Sequence, residues 1–380
     1  MPAPVNILHL HSSFSLGGKE ARAVRLMNAF GDRARHTIVS GVPDALGARD
    51  AIAKGVRYEI AQDPLSLTGN PSVARYEAIA RLMRRFDLVL TYNWGAIDGV
   101  MAKRVFAKDM PPVVHHEDGF NSDEAVRLSP VRNMYRRLAL PAAAALVVPS
   151  HMLENVALTE WKQPRARVHR ISNGIPTALY GRKPASNAVP GLKRLPGETV
   201  IGTLAGLRTV KDLPMLVRAA GGVNAKIRLV IVGEGPERRA IEDAAEAMFF
   251  DDRLVMPGFL RDPHKYLGLF DIFALSSQSE QQPISVMEAM AAGLPIVSPP
   301  VGDVPRMVAE ENRPIIAPDW NEVHLRDRID YLIKYPAVRA AVGAANQAKA
   351  RAAFDEGAMI ASYAALYDAA MGRPGTLGAA

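Results

Sequence analysis

Two glutamates stand eight positions apart, Glu280 and Glu288, in the segment ALSSQSEQQPISVMEAMAAGLPIVS. Residues 271–275 have the short apolar pattern of a buried strand, and residues 286–292 predict a helix that stops at Gly293. Glu280 therefore falls on the loop at the carboxyl end of the strand, and Glu288 lies about two turns further on, inside the helix. Open parallel sheets bind ligands at this edge, so the two carboxylates can contact a sugar and a ribose.

The glutamates need a parallel sheet to position them, and both halves of the chain alternate short apolar runs with helical patterns. Strand, glycine loop and helix in succession form the opening unit of a doubly wound sheet. Strands are predicted at residues 6–11, 36–40, 88–92, 113–116, 145–149, 200–204 and 227–232, and near Leu254, Ile272, Ile296 and Pro314. Helices are predicted at about residues 20–30, 73–86, 125–140, 213–220 and 358–371. The fold class is therefore α/β.

A chain of 380 residues exceeds what one core usually supports, so two domains are expected. The stretch 181–197, GRKPASNAVPGLKRLPG, is rich in Pro, Gly and Lys and has no apolar period. It predicts the connection between the domains. We therefore predict a first domain over residues 1–180 and a second over residues 198–357.

The glutamate segment resembles the E-x7-E signature of retaining glycosyltransferases of family 4. Ser-Glu precedes the pattern and Glu-Ala-Met-Ala-Ala-Gly-Leu-Pro follows it. A pair of solvated glutamates is the plain alternative, and these flanking residues favour function over it. The resemblance implies the GT-B fold, two Rossmann-like doubly wound domains with an interdomain cleft, and a helix 358–371 that packs back on the first domain. It also implies that Glu280 contacts the transferred sugar and Glu288 the ribose hydroxyls.

Cations for a diphosphate stand just after the strand at residues 200–204, in the segment IGTLAGLRTVKD. A leaving diphosphate gains negative charge, which fixed cations stabilise. The resemblance implies that Arg208 and Lys211 grip this group. The family pattern G-R-L-x-x-x-K is not fully matched, because Gly206 occupies the usual arginine position and Arg208 follows two residues later. Exposed surface cations are the alternative.

Two glycine loops are candidates for binding the donor. Gly17 and Gly18 follow the first strand and open a helix, where backbone amides and the positive helix end suit an anion. They resemble the family's G-G-x-E loop, and a plain tight turn is the alternative. Gly233 belongs to LVIVGEGPERRAI, which resembles the family's G-x-G-P-x-R turn. Arg238 replaces the third glycine of a dinucleotide-binding fingerprint, so the pattern does not favour nicotinamide binding.

His115 and His116 end the strand at residues 113–116. The resemblance implies that a histidine here hydrogen-bonds the donor sugar, and adjacent strand residues face opposite ways, so the spacing leaves open which one does. A metal bound by the His-His-Glu-Asp run is the alternative, but contiguous residues match no known ligand spacing, and we expect no metal. The resemblance implies that the backbone just after the first glutamate faces the donor sugar, at Gln281, Gln282, Pro283 and Ile284.

The net charge of +7 lies in the first half of the chain. Residues 1–180 contain 23 Lys and Arg against 16 Asp and Glu, whereas residues 181–380 contain 23 of each. The predicted helices 73–86 and 125–140 mix apolar positions with arginines, which suits either an anionic membrane surface or an ordinary solvated face. No recognised module accompanies this charge, so we expect no nucleic-acid partner.

Composition limits the location. The chain has no cysteine, which excludes disulfides and suits a reducing cytosol. The first residues, MPAPVNILHLHSS, lack a basic leader followed by a long apolar run, so we expect no signal peptide. The apolar run 138–148 is too short to span a bilayer. We therefore expect a cytoplasmic protein, peripheral on the inner face of the membrane.

The resemblance, together with these residues, implies a retaining glycosyltransferase that moves a hexose from a nucleotide-diphosphate sugar to a hydroxyl of a saccharide or lipid-linked acceptor. We expect no cofactor besides this donor substrate, and a role in bacterial surface polysaccharide or glycolipid synthesis. One alternative is a nucleotide-sugar epimerase of the same architecture, which would convert the donor without an acceptor. The other is a catalytically silent binding protein, in which Glu280→Ala would have no consequence.

Overall fold

The computed structural model describes residues 3–62, 66–67, 69–120, 124 and 127–378. The chain divides into two compact units. Unit 1 comprises Met1–Asn173 with Gly357–Ala380, and unit 2 comprises Gly174–Glu356. The predicted connection at residues 181–197 lies within unit 2, where Val189 is buried among the core residues. The division between the units falls instead at Asn173 and Gly174.

Unit 1 contains a parallel sheet of seven strands among the described residues, in the order β3-β2-β1-β4-β5-β6-β7. Its strands are β1 Val5–His11, β2 Ala34–Ser40, β3 Arg57–Ile60, β4 Leu88–Tyr92, β5 Val113–His116, β6 Ala145–Val148 and β7 Val168–Arg170. The central strands are buried on both faces, as their apolar runs require. The order reverses between β1 and β4, which makes the sheet doubly wound.

Helices cover both faces of this sheet. They are α1 Gly18–Phe30, α2 Val73–Met83, α3 Asp98–Val105, α4 Pro130–Ala139, α5 His151–Thr159 and α12 Glu356–Met371. One core lies between the sheet and the helices α2 to α5, and a second lies between the sheet, α1 and α12. Tyr363 and Tyr367 of α12 are fully buried in the second core. The last helix of the chain is therefore part of unit 1.

Unit 2 repeats the plan with five parallel strands among its residues, in the order β10-β9-β8-β11-β12. The strands are β8 Thr199–Leu204, β9 Ile227–Val232, β10 Leu254–Gly258, β11 Ile272–Ala274 and β12 Ile296–Val297. The helices are α6 Leu213–Gly221, α7 Arg238–Ala247, α8 Ile284–Ala291, α9 Val304–Met307, α10 Glu322–Lys334 and α11 Pro336–Ala353. The predicted α/β fold class with two doubly wound sheets is confirmed.

One predicted strand is wrong. The segment around Pro314 forms a 3₁₀ turn, Glu310–Ile315, instead of a strand. The side chain of Asn312 takes the place of a neighbouring strand, because its Oδ1 accepts from Ile296 N at 2.7 Å and its Nδ2 donates to Ile296 O at 2.8 Å. The backbone groups at the edge of β12 are thus satisfied without a further strand. The predicted helix 125–140 begins at Pro130, and residues 125 and 126 lie outside the described residues.

Candidate functional site

The site in unit 2 lies at the carboxyl edge of its sheet, where the strand order reverses between β8 and β11. Loops that leave two adjacent strands in opposite directions open a crevice between them. Lys211 follows β8 in a 3₁₀ turn, Thr209–Lys211, and Glu280 follows β11. The fold therefore brings together a cation and a carboxylate that are 69 residues apart in the sequence.

Lys211 and Glu280 form an ion pair, with 2.5 Å between Lys211 Nζ and Glu280 Oε1. Ser277 Oγ donates to the same carboxylate oxygen at 2.8 Å. The backbones of the two loops are joined as well, because Ser276 Oγ donates to Lys211 O at 2.9 Å and Gln278 N donates to Val210 O at 2.9 Å. The pair is thus held in place by contacts on both loops, and it presents a positive and a negative group side by side to a ligand.

Glu288 is a buried carboxylate in α8, a helix that is otherwise apolar on its inner face. Tyr180 Oη donates to Glu288 Oε1 at 3.0 Å, which satisfies part of the buried charge. Burial raises the pKa of the Tyr266 phenol, and the negative charge of the nearby Glu288 raises it further. A carboxylate in such surroundings suits hydrogen bonds from ligand hydroxyls, which is the chemistry expected of a ribose contact.

The segment between the two glutamates is held against the turn at Gly302. This glycine has φ +55°, and a Cβ there would lie 2.5 Å from Glu280 O and 2.7 Å from Gln281 O. Asp303 N donates to Gln281 O at 2.9 Å. Pro283, with φ −65°, then caps the start of α8 at Ile284. Gln282 is half-buried, and Gln281 is buried.

Gly233 lies against the loop that follows β8 and carries Arg208 and Lys211, here called the cation loop. Its φ is +147°, and a Cβ would lie 1.9 Å from Ala205 O, so only glycine allows the β8 and β9 loops to approach this closely. The two loops are also joined by hydrogen bonds, since Leu207 N donates to Glu234 O at 2.9 Å and Glu237 N donates to Leu207 O at 3.0 Å. Arg208 is exposed on this loop, and its guanidinium makes no hydrogen bond within the described residues. Its side chain is available to an anion.

In unit 1, a side chain of α1 already lies at the glycine loop formed by Gly17 and Gly18. Gly17 caps α1, and the carboxylate of Glu20 folds back toward it, because a Cβ on Gly17 would lie 2.8 Å from Glu20 Oε2. Lys19 forms an ion pair with Glu20. Burial raises the pKa of Glu20, and Lys19 opposes that shift. A free anion at Gly17 and Gly18 would therefore meet a carboxylate that already lies at the helix end.

The two strand-end histidines are both fully buried in unit 1. Both ring nitrogens of His116 have partners, Thr91 O at 3.1 Å and Tyr367 Oη at 2.8 Å. His115 Nδ1 lies 2.7 Å from Thr91 Oγ1, and its Nε2 lies 3.6 Å from Glu117 Oε2. His116 thus packs within the sheet and α12, whereas Nε2 of His115 is the ring nitrogen without a hydrogen bond among the described residues.

Several arginines of the two predicted basic helices, α2 and α4, form ion pairs within unit 1. In α4, Arg136 is buried and forms a bidentate pair with Glu124 at 3.0 Å for both bonds, and Arg132 bonds the same carboxylate at 3.1 Å. Burial alone would raise the pKa of Glu124, but these arginines hold it below its ordinary value. In α2, Arg75 pairs with Asp98. Much of the predicted positive face therefore serves to hold unit 1 together.

Several contacts of the site were not predicted. Tyr180, Ser277 and Gly302 contact the two glutamates, yet none belongs to a recognised motif. Ser277 stands three residues before Glu280, and this short spacing was the one feature of the sequence that could have indicated its contact with the carboxylate. Among the described residues, no group of three His, Asp, Glu or Cys side chains is placed to hold a metal ion. No helix in the described ranges is long and apolar enough to cross a membrane.

Two family models match the chain. The model described as Glycosyltransferase Family 4 matches residues 6–179, and the model described as Glycosyl transferases group 1 matches residues 190–349. The first lies within unit 1 apart from its last six residues, and the second lies within unit 2. Between them they account for most of the chain.

Curated relatives are similar over part of their length. The chain is 28% identical over 186 residues to the putative glycosyltransferase EpsF of Bacillus subtilis (strain 168), covering 47% of each protein. It is 25% identical over 298 residues to D-inositol 3-phosphate glycosyltransferase of Segniliparus rotundus, covering 72% of the chain and 64% of that protein. The chain thus spans about half to two thirds of the length of these relatives.

Solved structures share the fold over nearly the whole chain. Anabaena HepE in complex with UDP and glucose superposes with a TM-score of 0.78 at 19% identity, covering 95% of the chain and 98% of HepE. Sucrose-phosphate synthase from Thermosynechococcus elongatus superposes with a TM-score of 0.74 at 19% identity, covering 96% and 98%. At this identity the likeness establishes the architecture and not the reaction.

Proposed function

This chain belongs to the family 4 glycosyltransferases of the GT-B type, and from that premise we propose that it transfers a hexose from a nucleotide-diphosphate sugar to an acceptor hydroxyl with retention of configuration. The observation that carries the proposal is the pairing of Lys211 with Glu280 at the strand reversal of unit 2. A cation and a carboxylate at that edge match the two ends of a sugar diphosphate. HepE, which shares the fold, has been solved with UDP and glucose.

Lys211 and Arg208 have the charge that the leaving group requires. As the glycosidic bond breaks, negative charge grows on the diphosphate, and a preorganised ammonium stabilises it more in the transition state than in the bound donor. Arg208, exposed three residues earlier in the same loop, adds a second cation that can reach a phosphate. We propose that these two side chains hold the departing diphosphate.

The two glutamates position the donor. Glu280 accepts hydrogen bonds from the sugar hydroxyls, and Glu288 accepts them from the ribose, with Tyr180 fixing its carboxylate. Attack then occurs on the face that the leaving group vacates, and the leaving phosphate takes the proton of the acceptor hydroxyl. We assign no donor contact to His116, because both of its ring nitrogens are bonded within unit 1. Nε2 of His115 makes no hydrogen bond within the described residues, so His115 stays the proposed histidine contact.

A screen of nucleotide-sugars by thermal shift tests the donor. A ligand that binds the folded state raises the melting temperature in proportion to the logarithm of its concentration over its Kd, so the true donor separates from the others. Wild type should respond to one class of nucleoside diphosphate sugar, and Lys211→Met should lose most of that response. If no nucleotide-sugar or nucleoside diphosphate shifts the wild-type protein at millimolar concentration, the proposal fails.

Product analysis separates the alternatives. With donor alone, an epimerase would convert the sugar, whereas a transferase would release nucleoside diphosphate only slowly until an acceptor is added. A silent binding protein would bind nucleotide and release nothing with any acceptor. The anomeric configuration of the product, read by nuclear magnetic resonance, decides between retention and inversion.

We also propose that the acceptor is a saccharide or lipid-linked saccharide of a bacterial surface polysaccharide or glycolipid, and that the protein works in the cytoplasm at the inner face of the membrane. The excess positive charge in residues 1–180 supports this placement, because the inner leaflet carries anionic lipids. Activity on acceptor presented in vesicles, compared with the same acceptor in detergent, tests it.

A further inference from the structure

Asn93 has a backbone conformation that is populated almost only by glycine. It follows β4 with φ 55° and ψ −177°. The left-handed turn that asparagine often adopts has a ψ of about 30° to 60°, so this conformation is a different one. Residues with a backbone of this kind cost free energy, persist only where the surrounding structure holds them, and cluster at functional sites. The surroundings of Asn93 are therefore a place to look for a binding role.

Asn93 stands where the strand order of unit 1 reverses. The strands β1 and β4 are neighbours at this point, and open parallel sheets bind ligands in the crevice beyond it. His11 is opposite Tyr92 in the register of the two strands, so Ser12 and Asn93 are the next residues along them. The two loops touch, because a Cβ on Gly95 would lie 2.3 Å from Ser12 Cβ. Ser12 and Asn93 thus mark the crevice of unit 1.

Hydrogen bonds from three sides fix Asn93 in this conformation. Its N donates to His116 O at 2.7 Å, and its O accepts from Ala96 N at 3.1 Å. Its Oδ1 accepts from Asp118 N at 2.7 Å, and this backbone donor sets which way the side-chain amide is turned. The carboxylate of Asp118 is held in turn by the buried Arg22, whose Nη2 donates to Asp118 Oδ2 at 2.9 Å. The amide of Asn93 is therefore preorganised.

The donors that remain on this amide are uncharged. Asn93 is half-buried, and within the described residues its Nδ2 makes no hydrogen bond, nor does Oγ of the half-buried Ser12. Lys19 and Arg22 of the adjacent helix α1 already have carboxylate partners. An amide and a hydroxyl are thus the groups that Asn93 and Ser12 offer to a ligand. They suit the hydroxyls of a neutral saccharide better than a phosphate or a carboxylate, which favour cations.

We propose that Asn93 binds the acceptor sugar, with Nδ2 donating to a hydroxyl oxygen of a neutral pyranose ring and Ser12 Oγ as a second partner. The inference rests on the proposed function, because it takes the hydroxyl-bearing substrate to be a saccharide. It adds a specificity-determining residue in unit 1 and the chemistry that this residue selects. The strained backbone is the conformation in which Oδ1 bonds to Asp118 N while Nδ2 stays available to the ligand.

Asn93→Gly tests the proposal, since glycine adopts this conformation freely and lacks the amide. Saturation-transfer nuclear magnetic resonance measures the binding of three neutral probes, the methyl α-D-pyranosides of glucose, galactose and mannose. Wild type should bind at least one of them, and Asn93→Gly should bind it roughly five- to tenfold more weakly, with unchanged melting temperature and nucleotide binding. The matched control is Lys162→Gly, which replaces an exposed residue with φ 55° in the connection from α5 to β7 and should bind the probes like wild type.

A second variant and a charged probe do not depend on how Asn93→Gly folds. Ser12→Ala leaves the backbone of Asn93 unchanged and should also weaken glycoside binding, and glucose 1-phosphate should bind wild type no more tightly than methyl α-D-glucopyranoside.

Three results would overturn the proposal: a wild-type protein that binds none of the glycosides, tighter binding of the phosphate, or glycoside binding that neither variant weakens. A lower melting temperature of Asn93→Gly with unchanged glycoside binding would assign Asn93 to the turn alone. A response to nucleotide-sugars without glycoside binding would remove this inference and leave the donor assignment standing. Glycoside binding without any response to nucleotide-sugars would do the reverse.

Discussion

Glu280 receives its two hydrogen bonds on one oxygen. In the part of the chain that the structure describes, Lys211 Nζ and Ser277 Oγ both donate to Oε1, and the side chain is 11% exposed. Oε2 is therefore the atom left to accept from a ligand hydroxyl. The two oxygens have different tasks in the proposed reaction, since one fixes the carboxylate and the other contacts the sugar.

We expect Glu280→Gln to lower the rate of sugar transfer by about a hundredfold or more, while nucleoside diphosphate binding changes less than about threefold. The amide keeps the size of the side chain but removes the negative charge that orients Lys211 and accepts from the sugar. Steady-state kinetics with the donor found by thermal shift provide the measurement. Glu246→Gln, an exposed glutamate on α7, is the matched control. An unchanged rate in Glu280→Gln would contradict the assigned role.

Tyr180→Phe should lower the free energy of unfolding by about 1–3 kcal/mol, because a buried carboxylate loses a donor that lies 3.0 Å away. Urea denaturation followed by fluorescence measures the change. Tyr266→Phe is the comparison, since Tyr266 Oη is 3.4 Å from Leu260 O and its hydrogen bond is weaker. Equal losses in the two variants would show that Tyr180 does not specifically support Glu288.

At the scale of elements, the sequence predicted the strands and loops that bear the site but not how the loops are held. The strand alternation placed Lys211 and Glu280 at the same edge, which the sheet order explains. The contacts of Gly302 and Tyr180 could not be predicted from the sequence, because they depend on the path of the backbone and connect residues that are far apart in the chain. The buried ion pair of Arg136 was also missed, since helical periodicity does not show which arginines find a buried partner.

Gly302→Ala should move the loop that carries Glu280. The added Cβ would lie within 2.7 Å of two backbone oxygens, and φ +55° is strained for alanine, so the loop and the turn must separate. We expect transfer activity to fall at least about tenfold, with a loss of stability of about 1–3 kcal/mol. Gly268→Ala is a useful control, because its Cβ would meet only the flexible ring of Pro184 at 3.0 Å. Equal activity in both variants would contradict this prediction.

The loop after β10 presents an exposed aromatic ring at the same sheet edge. Phe259 is 57% exposed and follows Gly258, whose carbonyl accepts from Gly233 N at 2.9 Å. The next residue, Leu260, has its carbonyl bonded by Tyr266, the phenol that senses Glu288. The loop is thus tied both to the turn after β9 and to the neighbourhood of Glu288, the carboxylate that we propose binds the ribose. We expect a nucleobase attached to that ribose to stack on this ring.

Phe259→Ala should weaken nucleoside diphosphate binding by about tenfold or more, because stacking of a base on an aromatic side chain contributes about 1–3 kcal/mol. Binding of ribose 5-phosphate, which lacks a base, should not change. Phe249→Ala is the matched control, since Phe249 is 88% exposed in the same unit and lies at the opposite end of α7 from the site. Isothermal titration calorimetry compares the three proteins, and an unchanged nucleotide Kd in Phe259→Ala would rule out the stacking.

At the scale of the whole molecule, we expect the stability to depend on pH because of a row of buried rings in unit 1. His11, Tyr92 and His116 stack across three adjacent strands, with ring centroids 4.1 Å and 4.7 Å apart. Burial lowers the pKa of His11 and His116, and of His9 beside them, and it lowers the pKa of His36 to about 4. These histidines are neutral in the folded protein at pH values where they are protonated in the unfolded chain.

The sign of the effect follows from proton binding. Between pH 6.5 and about 4 the unfolded chain binds more protons at these positions, so the free energy of unfolding falls as the pH is lowered. Each histidine contributes up to about 1.4 kcal/mol per pH unit in that range. Glu20, whose burial raises its pKa, acts in the opposite direction at the acidic end. We expect a stable plateau above pH 7 and a decline from about pH 6.5 in urea midpoints.

His11→Phe isolates one member of the row. Both nitrogens of this ring lack a hydrogen bond within the described residues, so phenylalanine should keep the stacking on Tyr92 without leaving a donor or acceptor unpaired. Burial lowers the pKa of His11 first, and the charges of Lys19, His9, His116 and Arg22 lower it further. The variant should therefore match wild type at pH 8 and be more stable than wild type at pH 5.5, whereas His151→Phe, on the surface, should follow the wild-type curve. Parallel curves for wild type and His11→Phe would show that this ring does not carry the pH dependence.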